Sequence, residues 1–306
     1  MRSIYTDLAR EAVELDPRLE GVTEEEEKDG EIGISRIRVS TEQAAQRLKK
    51  REGNYITLEA PSLVMRPLEL FERLSKRIAE ELTRLLPNLA ENATVLIAGL
   101  GNRGITSDSL GPRAVEQLFV TRHITQLMPE AFDHPLRSVC AIAPGVLGVT
   151  GVETVEIIKG IKEHVKPDII IAIDSLAARR SVRIGTTVQI ADTGISPGSG
   201  VGNMRAGIDS ETLGVKVVAI GIPLVVYAAT VAQDTIELIA DETGLHNDEE
   251  KLKELAEKVI SEHMGPMIMT PKDIDCMVND MSRIIADGIN MAIHTKDYDD
   301  IRALVT

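Results

Sequence analysis

The sequence predicts an α/β fold, a three-layer αβα arrangement around a mainly parallel sheet with a β-ribbon near the N-terminus and helices at the C-terminus. Three observations carry this. Short runs rich in Val, Ile and Ala recur at 94–98, 138–146, 167–176 and 214–230. Amphipathic helical patterns separate them at the spacing of βαβ units, which places crossover helices on both faces of a parallel sheet. Aromatic residues make up only 2% of the chain and Trp is absent, so the core is built from Val, Ile, Leu, Ala and Met.

In chain order, residues 1–20 mix charge with small apolar side chains and read as a surface tail. The acidic run Glu24–Glu27, followed by Lys28, Asp29 and Gly30, reads as a solvated loop. GISRIRVS from Gly33 and the later NYITLEAP alternate apolar with polar residues, predicting a β-ribbon over about 31–60 with a short helical connector between its strands. Leu68, Phe71, Leu74, Ile78, Leu82 and Leu85 recur every three or four positions after Pro67, the pattern of an amphipathic helix, and Pro87 ends it. The first core strand, Thr94–Ala98, runs into a glycine turn and then a helix from about Gly111, with Pro112 in its first turn. SVCAIAPGV is the second strand, GVETVEIIKGIKEHV a helix and PDIIIAIDSL the third strand. A strand-like SVRIGTTVQIA then gives way to a loop rich in Gly, Ser and Pro, with Asp192, Gly194, Ser199 and Asn203 as turn formers. After the apolar strand at 214–230 the chain reads as helical over about 249–295, where Thr270 caps, Pro271 enters the first turn and Asp273 holds the capping-box position.

Composition bounds the function. The chain has 306 residues, 34 Lys and Arg against 48 Asp and Glu, and a net charge of −14. This argues against direct binding to nucleic acid, which needs clustered cations. Cys140 and Cys276 form neither a disulfide framework nor a C-x-x-C pair, which fits a reducing cytosol. No run reaches the roughly 18 apolar residues of a membrane span.

The candidate chemistry lies in two stretches. ATVLIAGLGNRGITSDSLGP breaks an apolar strand with glycines and ends on Asp108; PDIIIAIDSLAARR presents Asp174 at the end of another. The turn Gly99-Leu100-Gly101-Asn102 fails as a dinucleotide fingerprint because no helix opens at Gly104 and the next strand ends in Ala-Pro-Gly rather than an acidic residue. The absence of G-K-[ST] removes a P-loop, and no G-x-S-x-G marks a serine nucleophile. Either aspartate alone reads as a helix N-cap. Together, on strands that βαβ units place side by side, they read as an acid–base pair in which one carboxyl holds a proton. The same carboxylates could instead bind a metal, but none of the six histidines falls between 165 and 245 or in a close-spaced ligand pair. Gly99, Gly101, Asn102, Gly198 and Gly200 are candidates for loops that contact a substrate. Arg103, Arg179, Arg180 and Arg183 are cations that could meet substrate carboxylates.

At these residues the chain resembles the germination protease family, the endopeptidases that degrade small acid-soluble spore proteins. TDLAREA, GNYITLEAP, GLGNRGITSDSLGP, AIAPGVLGVTGVET, IIAIDSLAAR and ISPGSGVGN carry the likeness, which runs over essentially the whole chain. The family is distantly similar to hydrogenase maturation proteases, whose pattern G-x-G-N-x5-[DE]-x2-G is matched by Gly99, Gly101, Asn102, Asp108 and Gly111. Those relatives complete a nickel site with a His that has no counterpart here, which favours an aspartate pair without metal or other cofactor. The resemblance implies Asp108 and Asp174 as catalytic residues, a homotetramer, and residence in the cytoplasm of the developing spore, its core. It also implies a zymogen that cuts itself after an acidic residue and before an apolar residue followed by Ala. Asp7-Leu8-Ala9 fits, so residues 1–7 are expected to be a propeptide and 8–306 a single peptidase domain. Two alternatives stay open: a metal-dependent maturation-type endopeptidase, and a non-catalytic α/β binding protein whose aspartates are caps only.

Overall fold

The structure, a computed structural model, describes residues 5–86, 89–128, 130, 136–195, 207–243, 258 and 267–305. Its elements in chain order are α1 (Ala9–Leu15), β1 (Val22–Asp29), β2 (Ile32–Val39), α2 (Glu42–Leu48), β3 (Gly53–Glu59), α3 (Leu68–Leu85), β4 (Thr94–Gly99), α4 (Leu110–Val115), α5 (Arg122–Leu127), β5 (Ser138–Ile142), α6 (Leu147–Thr150), α7 (Thr154–Val165), β6 (Ile169–Ala178), β7 (Thr187–Ala191), α8 (Ser210–Leu213), β8 (Lys216–Tyr227), α9 (Ala228–Thr243), β9 (Ile268–Met269), α10 (Ile274–Ile293) and α11 (Tyr298–Val305).

Among the described residues the strands form one mixed sheet in the order β1-β2-β3-β7-β8-β6-β4-β5, with β9 paired to β8. The predicted parallel core is present: β5, β4, β6 and β8 run parallel through the crossover helices. Alternation along these strands feeds two apolar layers. Val95, Ile97, Ile169, Ile171, Val218 and Ile220 face α3, α4 and α10, whereas Leu96, Ala98, Ile170, Ala172 and Val217 face α7 and α8.

The ribbon is not an appendage. β3 pairs antiparallel with β7, and β7 with β8, so β1, β2 and β3 extend the central sheet. The acidic run read as a loop is strand β1, because its carboxylates find partners on both faces. Glu26 meets Arg10 at 2.7 Å on one side, while Glu27 meets Arg36 at 2.7 Å and Arg77 at 2.6 Å on the other. Such surface pairs are individually weak, but together they favour an edge strand already aligned by the β1–β2 turn. The N-terminal tail is also not on the surface: Leu8 and Ala9 are fully buried. The cap expected at Thr270 is not formed: α10 opens at Ile274 with Asp273 at its N-cap position and no side-chain cap bond, and the Thr270 hydroxyl donates to the Leu224 carbonyl at 3.0 Å. The helix expected from 249 falls mostly outside the described residues, as do Gly198, Ser199, Gly200 and Asn203.

Candidate active site

β4 ends at Gly99 opposite Ile173 of β6, and Leu100 N–H still donates to the Ile173 carbonyl at 2.7 Å. Asp174 is the next residue on β6, so on that side it adjoins the glycine turn rather than a strand. The turn needs its glycine: Gly101 has φ +111°, and a Cβ there would overlap the carbonyl oxygen of Asp108. That close approach folds the chain back on itself, and Asn102 N–H donates to Asp108 Oδ2 at 2.9 Å. A 3₁₀ turn over Thr106–Asp108 follows, and the N-cap of α4 is Ser109. Asp108 therefore caps no helix. Neither does Asp174, which lies inside β6 rather than at its end, since β6 continues to Ala178 through an irregularity at Leu176/Ala177.

Asp174 is only 9% exposed. It shares a row across the sheet with Gly221 of β8 and Gln189 of β7, so the Asp174 and Gln189 side chains lie on one face. Between them Gly221 makes room for the Leu176 side chain, which a Cβ at 221 would overlap. Burial, chiefly, and then the negative charge of Asp108 hold the Asp174 carboxyl well above the usual carboxylate range; Asp7 adds to this, and the Ser175 N–H, 2.9 Å from Asp174 Oδ1, opposes it. The structure thus brings Asp108 and Asp174 within electrostatic reach of each other.

The raised carboxyl sets the sign of a stability effect. Its raised pKa means that Asp174 holds its proton more tightly in the folded chain than in the unfolded one, so this group opposes folding above the ordinary carboxylate range. Below that range both states are protonated and the penalty vanishes. Asp174→Asn should therefore stabilise the uncut chain at pH 7 by about 0.5–2 kcal/mol. Denaturant titration against uncut wild type should show this advantage shrinking as pH falls towards 3.8.

A third carboxylate comes from the N-terminal segment. Asp7 is held to β6 by one main-chain and one side-chain bond: its N–H donates to the Ala177 carbonyl at 2.9 Å, and its Oδ2 accepts the Ala177 N–H at 2.8 Å. The Tyr5 hydroxyl donates to Asp7 Oδ1, and the Tyr5 ring meets Tyr227 edge-on at 5.3 Å. Leu8 fills an apolar pocket of Leu176, Ala178, Ile184 and Val226. Ala9 is fully buried among Ile37, Val39, Tyr55 and Ala191. The carbonyl of Asp7 accepts from Lys50 Nζ at 2.9 Å and from Gln189 Nε2 at 3.0 Å. Beyond Ala9, the buried carboxylate of Glu11 accepts the backbone N–H groups of Arg179 at 2.6 Å and Arg180 at 3.0 Å and pairs with Arg183 at 3.1 Å.

The four candidate arginines divide. Arg183 is buried and also meets Glu59 at 2.7 Å, so it anchors α1. Arg179 and Arg180 contribute their main-chain amides to Glu11, and the Arg179 guanidinium pairs with Asp234 at 2.7 Å. Arg103 pairs with Glu116 on the surface, away from this segment. Gly99, Gly101 and Asn102 shape the Asp108 turn. Sequence reading missed Lys50, Ala177 and Gln189. Gln189 alone carried a signal, as the one strongly polar residue within the buried strand TVQIA. Among the described residues no cluster of His, Cys, Asp and Glu has the geometry of a metal site, and no helix is long and apolar enough to cross a membrane.

Comparison with known proteins places this geometry in context. A family model described as germination protease matches residues 2–251 and 240–304. The chain is 44% identical to the germination protease of Caldanaerobacter subterraneus subsp. tengcongensis over 95% of its length and 94% of the relative's. It is 42% identical to that of Clostridium acetobutylicum, covering 96% of both chains. It is 40% identical to that of Bacillus subtilis, covering 96% of this chain and 94% of the other. A solved NiFe hydrogenase maturation protease from Thermococcus kodakarensis aligns with a TM-score of 0.33 at 16% identity, covering 67% of this chain and 98% of that one.

Proposed function

The chain belongs to the germination protease family, and from that premise we propose that it is an endopeptidase of small acid-soluble spore proteins that first cuts itself between Asp7 and Leu8, using Asp108 and Asp174. The carrying observation is the seating of its own N-terminal segment. Asp7 docks on Ala177 of β6, the strand that carries Asp174, with its acidic side chain on the Ala177 amide, Leu8 in an apolar pocket and Ala9 buried against β2, β3 and β7. One main-chain bond, from Asp7 N–H to the Ala177 carbonyl, sets the segment against β6, and side-chain contacts supply the selectivity. A protein substrate presenting an acidic residue, an apolar residue and Ala would bind in the same way.

The two aspartates divide the chemistry. Two close carboxyls share a proton, and the burial of Asp174 supports its being the holder. Asp108, ionised, takes a proton from water as the water oxygen bonds to the Asp7 carbonyl carbon. Asp174 then gives its proton to the Leu8 nitrogen as the C–N bond breaks. A new carboxylate leaves at Asp7 and an amine at Leu8, and one water has been consumed. Exchange with solvent then removes the proton that Asp108 took from water and restores one to Asp174. Until the cut, the segment fills the cleft that a substrate strand would need, which makes it its own inhibitor. The working form is a homotetramer in the spore core, as the family resemblance implies.

A purified enzyme lacking residues 1–7 is the test. With EDTA present it should cut a peptide containing Asp-Leu-Ala after Asp at an undiminished rate, and should leave Asn-Leu-Ala intact. Loss of activity on chelation, restored by a divalent metal, would favour the maturation-type alternative.

A further inference from the structure

Resting on the reading that Asp7–Leu8 is the bond cut, we infer that Lys50 and Gln189 form the oxyanion-binding pair of this protease. The two side chains come from different elements, Lys50 from just past α2 and Gln189 from β7, and converge on one atom, the Asp7 carbonyl oxygen. Their placement on that oxygen is deliberate in two respects. Lys50 bridges the carbonyls of Thr6 at 3.0 Å and Asp7 at 2.9 Å, which fixes its ammonium end. The Gln189 amide is fixed from its other end, where Oε1 accepts the Ala9 N–H at 2.6 Å. Gln189 therefore grips the chain on both sides of the Leu8 residue, leaving the carbonyl held from one direction by a neutral donor and from another by an ammonium group.

This arrangement does more for the transition state than for the ground state. When the water oxygen adds to the carbonyl carbon, the C=O π pair moves onto oxygen, and the charge forms between two donors already in place. When the tetrahedral species collapses, that pair returns to the carbonyl as the C–N bond breaks and Leu8 takes its proton. Donors aimed where charge develops need no rearrangement during the reaction. Lys50 is half-buried, and burial lowers the basicity of its amine while the Asp7 and Glu11 carboxylates oppose this; a desolvated donor responds strongly to new negative charge.

Full-length chains with Lys50→Met and Gln189→Glu test the assignment. Gln189→Glu keeps an oxygen to accept from Ala9 N–H but removes the donor to Asp7. Two readouts are taken from freshly refolded protein: the rate of self-cleavage by intact mass, and hydrogen exchange of the amides from Leu8 to Val13. Each variant should cut about 10²–10³-fold more slowly, with exchange protection unchanged from an uncut Asp174→Asn chain, and Lys50→Arg should recover at least ten-fold over Lys50→Met. Cleavage at the wild-type rate in Lys50→Met and Gln189→Glu overturns the assignment, as does a slow rate matched by lost protection, which would make both residues mere anchors of the segment. The aspartate reading fails separately: it falls if Asp108→Asn and Asp174→Asn cut normally, whereas inactive aspartate variants beside a normal Lys50→Met remove only the oxyanion pair.

Discussion

Full-length chains carrying Asp108→Asn or Asp174→Asn should keep residues 1–7 under conditions in which the wild type loses them. Each substitution removes a group that must accept or deliver a proton while leaving a side chain of nearly the same size. Asparagine at 174 can still accept the Ser175 N–H, and asparagine at 108 the Asn102 N–H, so the turn and the strand persist. Acid–base groups contribute about 10²–10⁴-fold each, so self-cleavage should fall from readily followed to barely detectable. The two act on one bond as a unit, and the double variant should be little slower than either single one. Intact mass gives the rate and near-ultraviolet circular dichroism the fold. Near-normal trimming in both variants, with the fold retained, would leave the pair without a role.

The layout of the fold was legible because its signals are local. β4, β5, β6 and β8 are apolar runs between turn formers, and α3 and α7 repeat at helical spacing, so period and length identify them. The two aspartates were legible for a related reason: a carboxylate at the end of an apolar run conflicts with burial. What escaped was decided by pairing at long range. Val22–Asp29 reads as a solvated acidic stretch until Arg10, Arg36 and Arg77 supply its counter-charges from three other elements. The N-terminal tail reads as surface until the pocket of Leu176, Ala178, Ile184 and Val226 gives Leu8 somewhere to go. Asp174 reads as a strand end because the unbroken apolar run stops at it, yet β6 runs on, and its further residues bind the tail. Lys50 lies far from both aspartates in sequence, and only the docking of residues 6 and 7 gives its ammonium group a task.

The same docking makes the second large prediction, that the Asp7–Leu8 bond of an inactive chain is closed to other molecules. Exposing it to a second enzyme requires pulling Leu8 from its pocket, which costs about 1.5–3 kcal/mol. It also requires releasing the bonds to Ala177, Lys50 and Gln189, each contributing about 0.5–1.5 kcal/mol. Glu11 and its arginine contacts resist the same movement. An opening that costs a few kcal/mol leaves about one chain in 10² to 10⁴ accessible at any moment. The measurement mixes full-length Asp174→Asn chain with trimmed wild-type enzyme and follows both that chain and a free peptide spanning residues 4–12 by mass. If the segment occupies its own active site, the peptide is cut between Asp7 and Leu8 while the same bond in the variant chain is cut at least about 100-fold more slowly. Equal cutting of peptide and chain would mean that the segment lies open to solvent, and would contradict the account.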